Sequence, residues 1–328
     1  MIRFKLLPAV VMLVVSTLAC AADTTYKLAL VDHAGQLSWS SEGFKIIELS
    51  AKANGHEMGI RAQDASGHLT SLGFLFLFPE QAPLTSAKCR DGVMVPEKAH
   101  NASLKLLESK EIAREGGLPA AMVSYTTKDG EKTMYVVRGF IATGDLCGDL
   151  EFYSETPIHA GDPELKQLLA SYQLQEKYTP KFTDIFFYGQ ILYQKHMYAA
   201  AAPVFEKALT HANDLPEPTL KTMKRVATDQ AGIAYGISGN VVKARAVFEK
   251  AIAEDPDYPL FYYNLACADA EEKNLAAAKK HLQQAFDRKA NIIPGETMPD
   301  PTADDSFTPY RDNKEFWGFV EGLRGQRQ

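Results

Sequence analysis

Three segments in the C-terminal half of the chain repeat one another, and this constrains the fold more than any other feature of the sequence. With starts at Phe182, Arg225 and Pro259, the second and third segments lie 34 residues apart. The first and second lie 43 apart, the same period with a nine-residue insertion around 211–221. Within this frame the eighth position is Gly189, Gly232 and Ala266, and the twentieth is Ala201, Ala244 and Ala278. The twenty-fourth is Phe205, Phe248 and Leu282, the twenty-seventh is Ala208, Ala251 and Ala285, and Pro256 closes the second segment. Small residues at fixed offsets let two helix backbones approach where they cross, and a bulky residue late in the second helix fills the space beside them. Each segment is therefore expected to be a helix pair, stacked on the next.

This pattern resembles the tetratricopeptide repeat over residues 182–290. The stretches Ala231-Gly232-Ile233-Ala234-Tyr235-Gly236 and Tyr262-Tyr263-Asn264-Leu265-Ala266-Cys267 are similar to that family. After the last unit, Asp304-Asp305-Ser306-Phe307, then Tyr310-Arg311-Asp312-Asn313 and Phe316, resemble the end-of-group segment that closes bacterial arrays of this kind. The last unit of a stack exposes an apolar face that a terminal element must cover. Phe307, Phe316, Trp317, Phe319 and Val320 suit that cover. Asp300, Asp304 and Asp305 lack the alternating oxygen ligands and terminal Glu of a calcium loop, so residues 291–328 are expected to form a cap.

The resemblance implies a helical superhelix that holds a protein or peptide on the concave face made by the first helix of each pair. In the repeat frame that face takes Thr183, Phe186, Gln190 and Tyr193 from the first unit, and Val226, Asp229, Ile233 and Gly236 from the second. The third contributes Leu260, Tyr263, Cys267 and Ala270, with Asn264 beside them. The set lacks the Lys and Asn pattern that clamps a terminal carboxylate, which disfavours recognition of chaperone tails. An aromatic and aliphatic groove marked by Gln190, Asp229 and Asn264 would suit a helix or an extended peptide. The alternative is that this face packs on another part of the same chain.

Residues 23–175 read as a separate α+β domain, mostly antiparallel sheet with few helices. Asn54-Gly55 joins two extended runs, Phe44 to Ala51 and Glu57 to Ala62, and Asp129-Gly130 joins another two, as hairpins. Leu72 to Phe78 is a continuous apolar run, as for a strand covered on both faces. Ala102 to Glu115 has helical spacing, and Asp162 with Pro163 predicts the start of a helix running to Gln173. The order of elements resembles the PsbP-like α/β fold.

The first residues carry Arg3 and Lys5, an apolar run from Leu6 to Leu18, and then Ala19-Cys20-Ala21. This is the order of a secretory signal peptide over residues 1–22, cut after Ala21. A lipoprotein cut before Cys20 is the competing reading, but Thr17-Leu18-Ala19 lacks the usual leucine three places ahead, which favours ordinary cleavage over a lipid anchor. The mature protein is then expected to be periplasmic or secreted. In such an oxidising compartment Cys89 and Cys147 form the natural disulfide, against the alternative of two buried thiols. Neither has a second Cys or His at metal-ligand spacing, and no metal or cofactor is expected.

A net charge of -6 and the lack of any long basic run argue against a nucleic-acid binder. There is no Gly-x-Ser-x-Gly elbow, no Walker-type loop, and His56-Glu57 lacks the second His of a zinc-protease helix. Gly144-Asp145-Leu146-Cys147-Gly148-Asp149 reads as a turn pinned by the disulfide rather than a metal or phosphate loop. The expectation is an exported interaction module or adaptor. A hydrolase with its site in the N-terminal domain, or a structural subunit of an envelope complex, are the alternatives.

Overall fold

The computed structural model describes residues 25–78, 84–114, 117–159 and 161–325, so the expected leader peptide and Cys20 lie outside the described residues. The chain divides into two compact units, with the boundary between Lys195 and His196.

In the first unit, strands β1 (Thr25–Ala29), β2 (Gln36–Ser40), β3 (Lys45–Ala51), β4 (Glu57–Gln63) and β5 (Leu69–Leu77) precede a helix, α1 (Ser86–His100). They are followed by β6 (Lys105–Ile112), β7 (Ala120–Asp129), β8 (Lys132–Thr143) and β9 (Leu146–Ser154), then α2 (Pro163–Ser171), β10 (Gln173–Gln175) and α3 (Phe182–Gln194). A seven-stranded sheet runs β3-β4-β5-β9-β8-β7-β6 and a three-stranded sheet runs β1-β2-β10, with antiparallel pairing throughout. Both expected hairpins form. Gly55 (φ +79°) and Gly130 (φ +59°) take the left-handed conformation that their turns require.

The large sheet is covered on both faces. On one, α1 lies over Val123, Tyr125, Val136 and Phe140, and the Cys89–Cys147 disulfide ties it to β9 with a Cα–Cα distance of 6.1 Å. On the other, Trp39 stacks on Phe74 with ring centroids 3.5 Å apart. Leu37 and Tyr172 close on Gly148 and Leu169 closes on Gly139, so tightly that a Cβ at Gly139 would stand 2.5 Å from Leu169. The glycines in β8 and β9 thus let the small sheet and α2 sit directly on the strands.

One expected element is corrected. The segment expected as a helix over Ala102 to Glu115 contains strand β6, and the helix lies earlier, at α1. The apolar spacing of 102–115 reports no buried face, because β6 is exposed along nearly its whole length and is held by its ladder to β7. Conversely, α1 carries an interior Pro96 and an exposed Val95, so its periodicity is poor. It is set by the Thr85 N-cap, whose hydroxyl accepts from the Lys88 N–H at 3.2 Å, and by the disulfide.

The first unit also extends past residue 175. Helix α3 packs on β1 and β3. The Tyr188 hydroxyl reaches the carbonyls of Lys52 (2.6 Å) and Glu57 (2.9 Å), and Lys195 pairs with Glu48.

The second unit contains α4 (Tyr198–Leu209), α5 (Thr219–Ile237), α6 (Val241–Glu254), α7 (Pro259–Glu271), α8 (Leu275–Asp287) and α9 (Lys314–Gly325). From α4 to α8 each helix packs on the next, and α5 also touches α7. Part of the insertion over 211–221 lengthens α5, which begins at Thr219, ahead of the repeat start at Arg225. The packing rule read from the repeat holds: a Cβ built on Gly232 would stand only 2.2 Å from Cζ of the Phe248 ring.

The fifteenth position of each repeat, unremarkable in sequence as His196, Gly239 and Lys273, is left-handed in all three units, with φ of 58°, 88° and 59°. Within the second unit it reverses the chain between α5 and α6 and between α7 and α8. The next residue, Asn240 or Asn274, then caps the second helix by accepting an N–H at 3.2 Å.

Gly232→Val should therefore destabilise the helical unit by about 2 kcal/mol, as overpacking does. Lys273→Gly should stabilise it by about 1 kcal/mol by relieving the left-handed strain. Urea titrations of the full chain followed by circular dichroism at 222 nm would read both shifts.

Candidate partner-binding face

The inner-face residues expected from the repeat frame fall in both units and differ in exposure. Thr183, Phe186, Gln190 and Tyr193 lie on α3, which belongs to the first unit; Thr183 is exposed and the other three are buried. Asp229 and Ile233 are half-buried on α5, while Val226 and Gly236 are buried. On α7, Leu260, Tyr263, Asn264, Cys267 and Ala270 are all buried.

What covers α7 is the chain's own closing segment. The short 3-10 helix Asp305–Tyr310 packs on α7, and Phe307 meets Tyr263 edge-on with centroids 6.0 Å apart. The Tyr263 hydroxyl donates to Asp304 Oδ2 at 3.0 Å, and Cys267 Sγ stands 3.7 Å from the same oxygen. Phe307, Tyr310, Phe316, Val320 and Leu323 are continuous with a core that includes Ala266, Ala278, Leu282 and Ala285, and Trp317 and Phe319 pack against it. Asp304 serves as an acceptor within the array rather than as a solvated acid. Burial, with Asp304 beside it, holds the Cys267 thiol well above its ordinary value, so it stays protonated and is no nucleophile.

A polar line continues from α7 to α5. Asn264 Nδ2 donates to Asp229 Oδ1 at 2.6 Å, and burial, then the nearby Glu296 charge, push the Asp229 carboxyl well up. Tyr258 donates to Glu296 Oε2 at 2.7 Å, and the Arg225 guanidinium lies 4.9 Å over the Tyr258 ring. Arg225 also holds Asp255 through two hydrogen bonds of 2.6 and 3.0 Å. Beside it opens a cleft of about 240 Å³ that Leu220, Lys221, Lys224, Thr228, Glu254 and Phe261 help to line. Tyr258, Glu296 and Arg225 were not among the expected site residues. They fall outside the inner-face positions of the repeat, and Glu296 comes from the segment expected only to cap.

A second cluster of charge lies in the first unit under α1. Asp149, expected in a turn, sits on β9 with no exposure at all. Arg138 on β8 grips it through both Nε (3.3 Å) and a terminal nitrogen, and also reaches Glu97 Oε2 (2.5 Å) and Glu151 Oε1 (2.8 Å). Tyr125 and Tyr153 donate to Glu97 and Glu151 at 3.0 and 3.1 Å. Burial works against the guanidinium's charge but is outweighed by the Asp149 and Glu151 carboxylates, so Arg138 stays charged. Three carboxylates around one guanidinium would leave a buried net negative charge. Burial accordingly pushes Glu151 up and Asp149 up to about 7, with Arg138 pulling the other way. The cluster clamps helix to sheet.

Folded Asp149 thus keeps its proton up to about pH 7, whereas its ordinary value is 3.8. The native state binds the extra proton in this window, so this group's contribution to stability is present at low pH and lost as pH rises through it. Asp149→Asn should flatten that slope. The drop in urea midpoint between about pH 4.5 and 7.5 should be smaller in the variant than in the wild type.

Comparison with known proteins supports the class of the helical unit. A family model described as "Tetratricopeptide repeat" matches residues 237–292, from the end of α5 through α8. Among solved structures, the chain is similar to PcrH from Pseudomonas aeruginosa, at 13% identity over 44% of this chain and 91% of that one, with a TM-score of 0.30. It is also similar to a protein from Bacteroides thetaiotaomicron VPI-5482, at 9% identity over 67% of this chain and 79% of that one, with a TM-score of 0.32. No curated protein matches the chain. The fold is thus an α+β layout in which a mostly antiparallel sheet region precedes a helical region carrying tetratricopeptide repeats. Such repeats are protein–protein interaction modules, and among the described residues no helix is long and apolar enough to cross a membrane.

Proposed function

We propose that this chain is an exported, non-catalytic adaptor that takes a protein or peptide partner on the tetratricopeptide array of its second unit. The observation that carries the reading is how the array is finished. Its last unit is sealed by the chain's own closing segment through Tyr263, Asp304 and Phe307, while Asp229 and Ile233 on α5 keep partial exposure. The partner face is therefore centred on α5, with Ile233 as its apolar marker. Export is supported by the charge, grease and small-residue order of residues 1–22. The Cys89–Cys147 disulfide, a bond that persists in oxidising compartments, supports it as well.

The test is a crosslinking capture from the envelope fraction of the source cells, comparing the mature chain with its Ile233→Glu variant after confirming equal thermal melts. One protein captured by the wild type, with recovery reduced about tenfold in the variant, is the expected result. Equal capture by both would remove α5 from the binding face.

A further inference from the structure

Strand β6 ends the seven-stranded sheet, pairing only with β7, so the hydrogen-bonding groups on its far edge have no strand partner within the described chain. Its side chains are exposed almost throughout, including Leu106 at 50% and Leu107 at 58%. Edges of this kind are usually protected by charges that repel a second strand, and β6 does carry Lys105, Glu108, Lys110 and Glu111. The order of these charges decides whether they protect.

In a two-fold symmetric antiparallel pair some residue must face its own copy, because hydrogen-bonded partners have to point the same alternate groups across the gap. A centre at Glu108, Lys110 or Glu111 would set like charges directly opposite each other. A centre at Ser109 sets Ser109 against Ser109 and Glu108 of each copy against Lys110 of the other. Two opposite-charge pairs then form side by side, within the part of β6 that follows its bulge at Leu107. Within one copy Lys110 Nζ and Glu108 Oε1 stand 2.7 Å apart on the same face, so in this register the intrastrand and cross-strand contacts join into one four-charge cluster of alternating sign. The edge charges of β6 are thus self-complementary in one register. The opposite edge of the sheet is different: β3 has α3 packed on it and its Glu48 is held by Lys195 and Arg61.

We propose that β6 is a homodimerisation edge, which pairs with β6 of a second copy in antiparallel register about Ser109 and joins two seven-stranded sheets into one. The contact is small, so the dimer forms reversibly and weakens as salt screens the two ion pairs.

Sedimentation velocity of the mature full-length chain over a concentration series tests this. The wild type is expected to show a monomer–dimer equilibrium. Glu108→Lys and Lys110→Glu, each placing like charges opposite one another, should each weaken self-association by about tenfold. An equimolar mixture of those two variants should recover the dimer, because every cross-strand pair is then of opposite sign, and so should the chain carrying both substitutions. All the substituted side chains are exposed, and thermal melts confirm that each variant is folded. A wild type that stays monomeric at every concentration overturns the proposal, and so does a dimer that the single variants leave intact. Failure of the mixture to recover association overturns the register.

Discussion

A stack of helix pairs leaves an apolar face at its end, and the contact between Tyr263 and the segment at Asp304 and Phe307 is where this chain closes it. The contact joins two kinds of interaction. The aromatic rings of Tyr263, Phe307 and Phe316 exclude water, and in the space they enclose the Asp304 carboxylate satisfies the Tyr263 hydroxyl that burial would otherwise strand. The closing helix α9 buries Phe316, Val320 and Leu323 in the same core as Ala278 and Leu282, so the array and its cap share one core. Within the helical unit the inner-face positions of α7 are buried in this way, whereas Asp229 and Ile233 on α5 keep partial exposure.

The first unit solves a different problem. A seven-stranded sheet offers two apolar faces, and each is covered by a different device. One takes a helix whose own amphipathicity is weak and which is held by a covalent bond and a buried guanidinium. The other takes a small sheet and a helix seated on glycines, where close approach and aromatic stacking do the work. Removing the guanidinium alone would leave buried Asp149 and largely buried Glu151 without their cation, beside half-buried Glu97, which is why the four side chains have to be regarded as one group.

Much of the helical half was legible in the sequence because its signal is periodic. Gly232 and Phe248 stand at fixed offsets for a packing reason, and their contact in the fold is the one the offsets demand. The left-handed residue at the fifteenth position was not legible, since His196, Gly239 and Lys273 share no chemistry and only the backbone turn unites them. In the sheet half, hairpins marked by Asn-Gly and Asp-Gly were readable, whereas β6 and α1 were exchanged. Local spacing cannot distinguish an exposed edge strand from a helix when neither buries a continuous stripe.

By itself, then, the sequence determined the class of each half, the pairing of Cys89 with Cys147, and the packing rule of the repeats. These depend on residue types at short, regular separations or on a single pair of rare side chains. Tertiary structure alone decided the rest. It assigned α3 to the sheet unit, folded the closing segment over α7, gathered Arg138 with three carboxylates, and left β6 at an edge. The physical reason is common to all four. Each depends on which surfaces meet across long stretches of chain, and burial, unlike periodicity, belongs to the meeting of two surfaces and is written in neither of them separately.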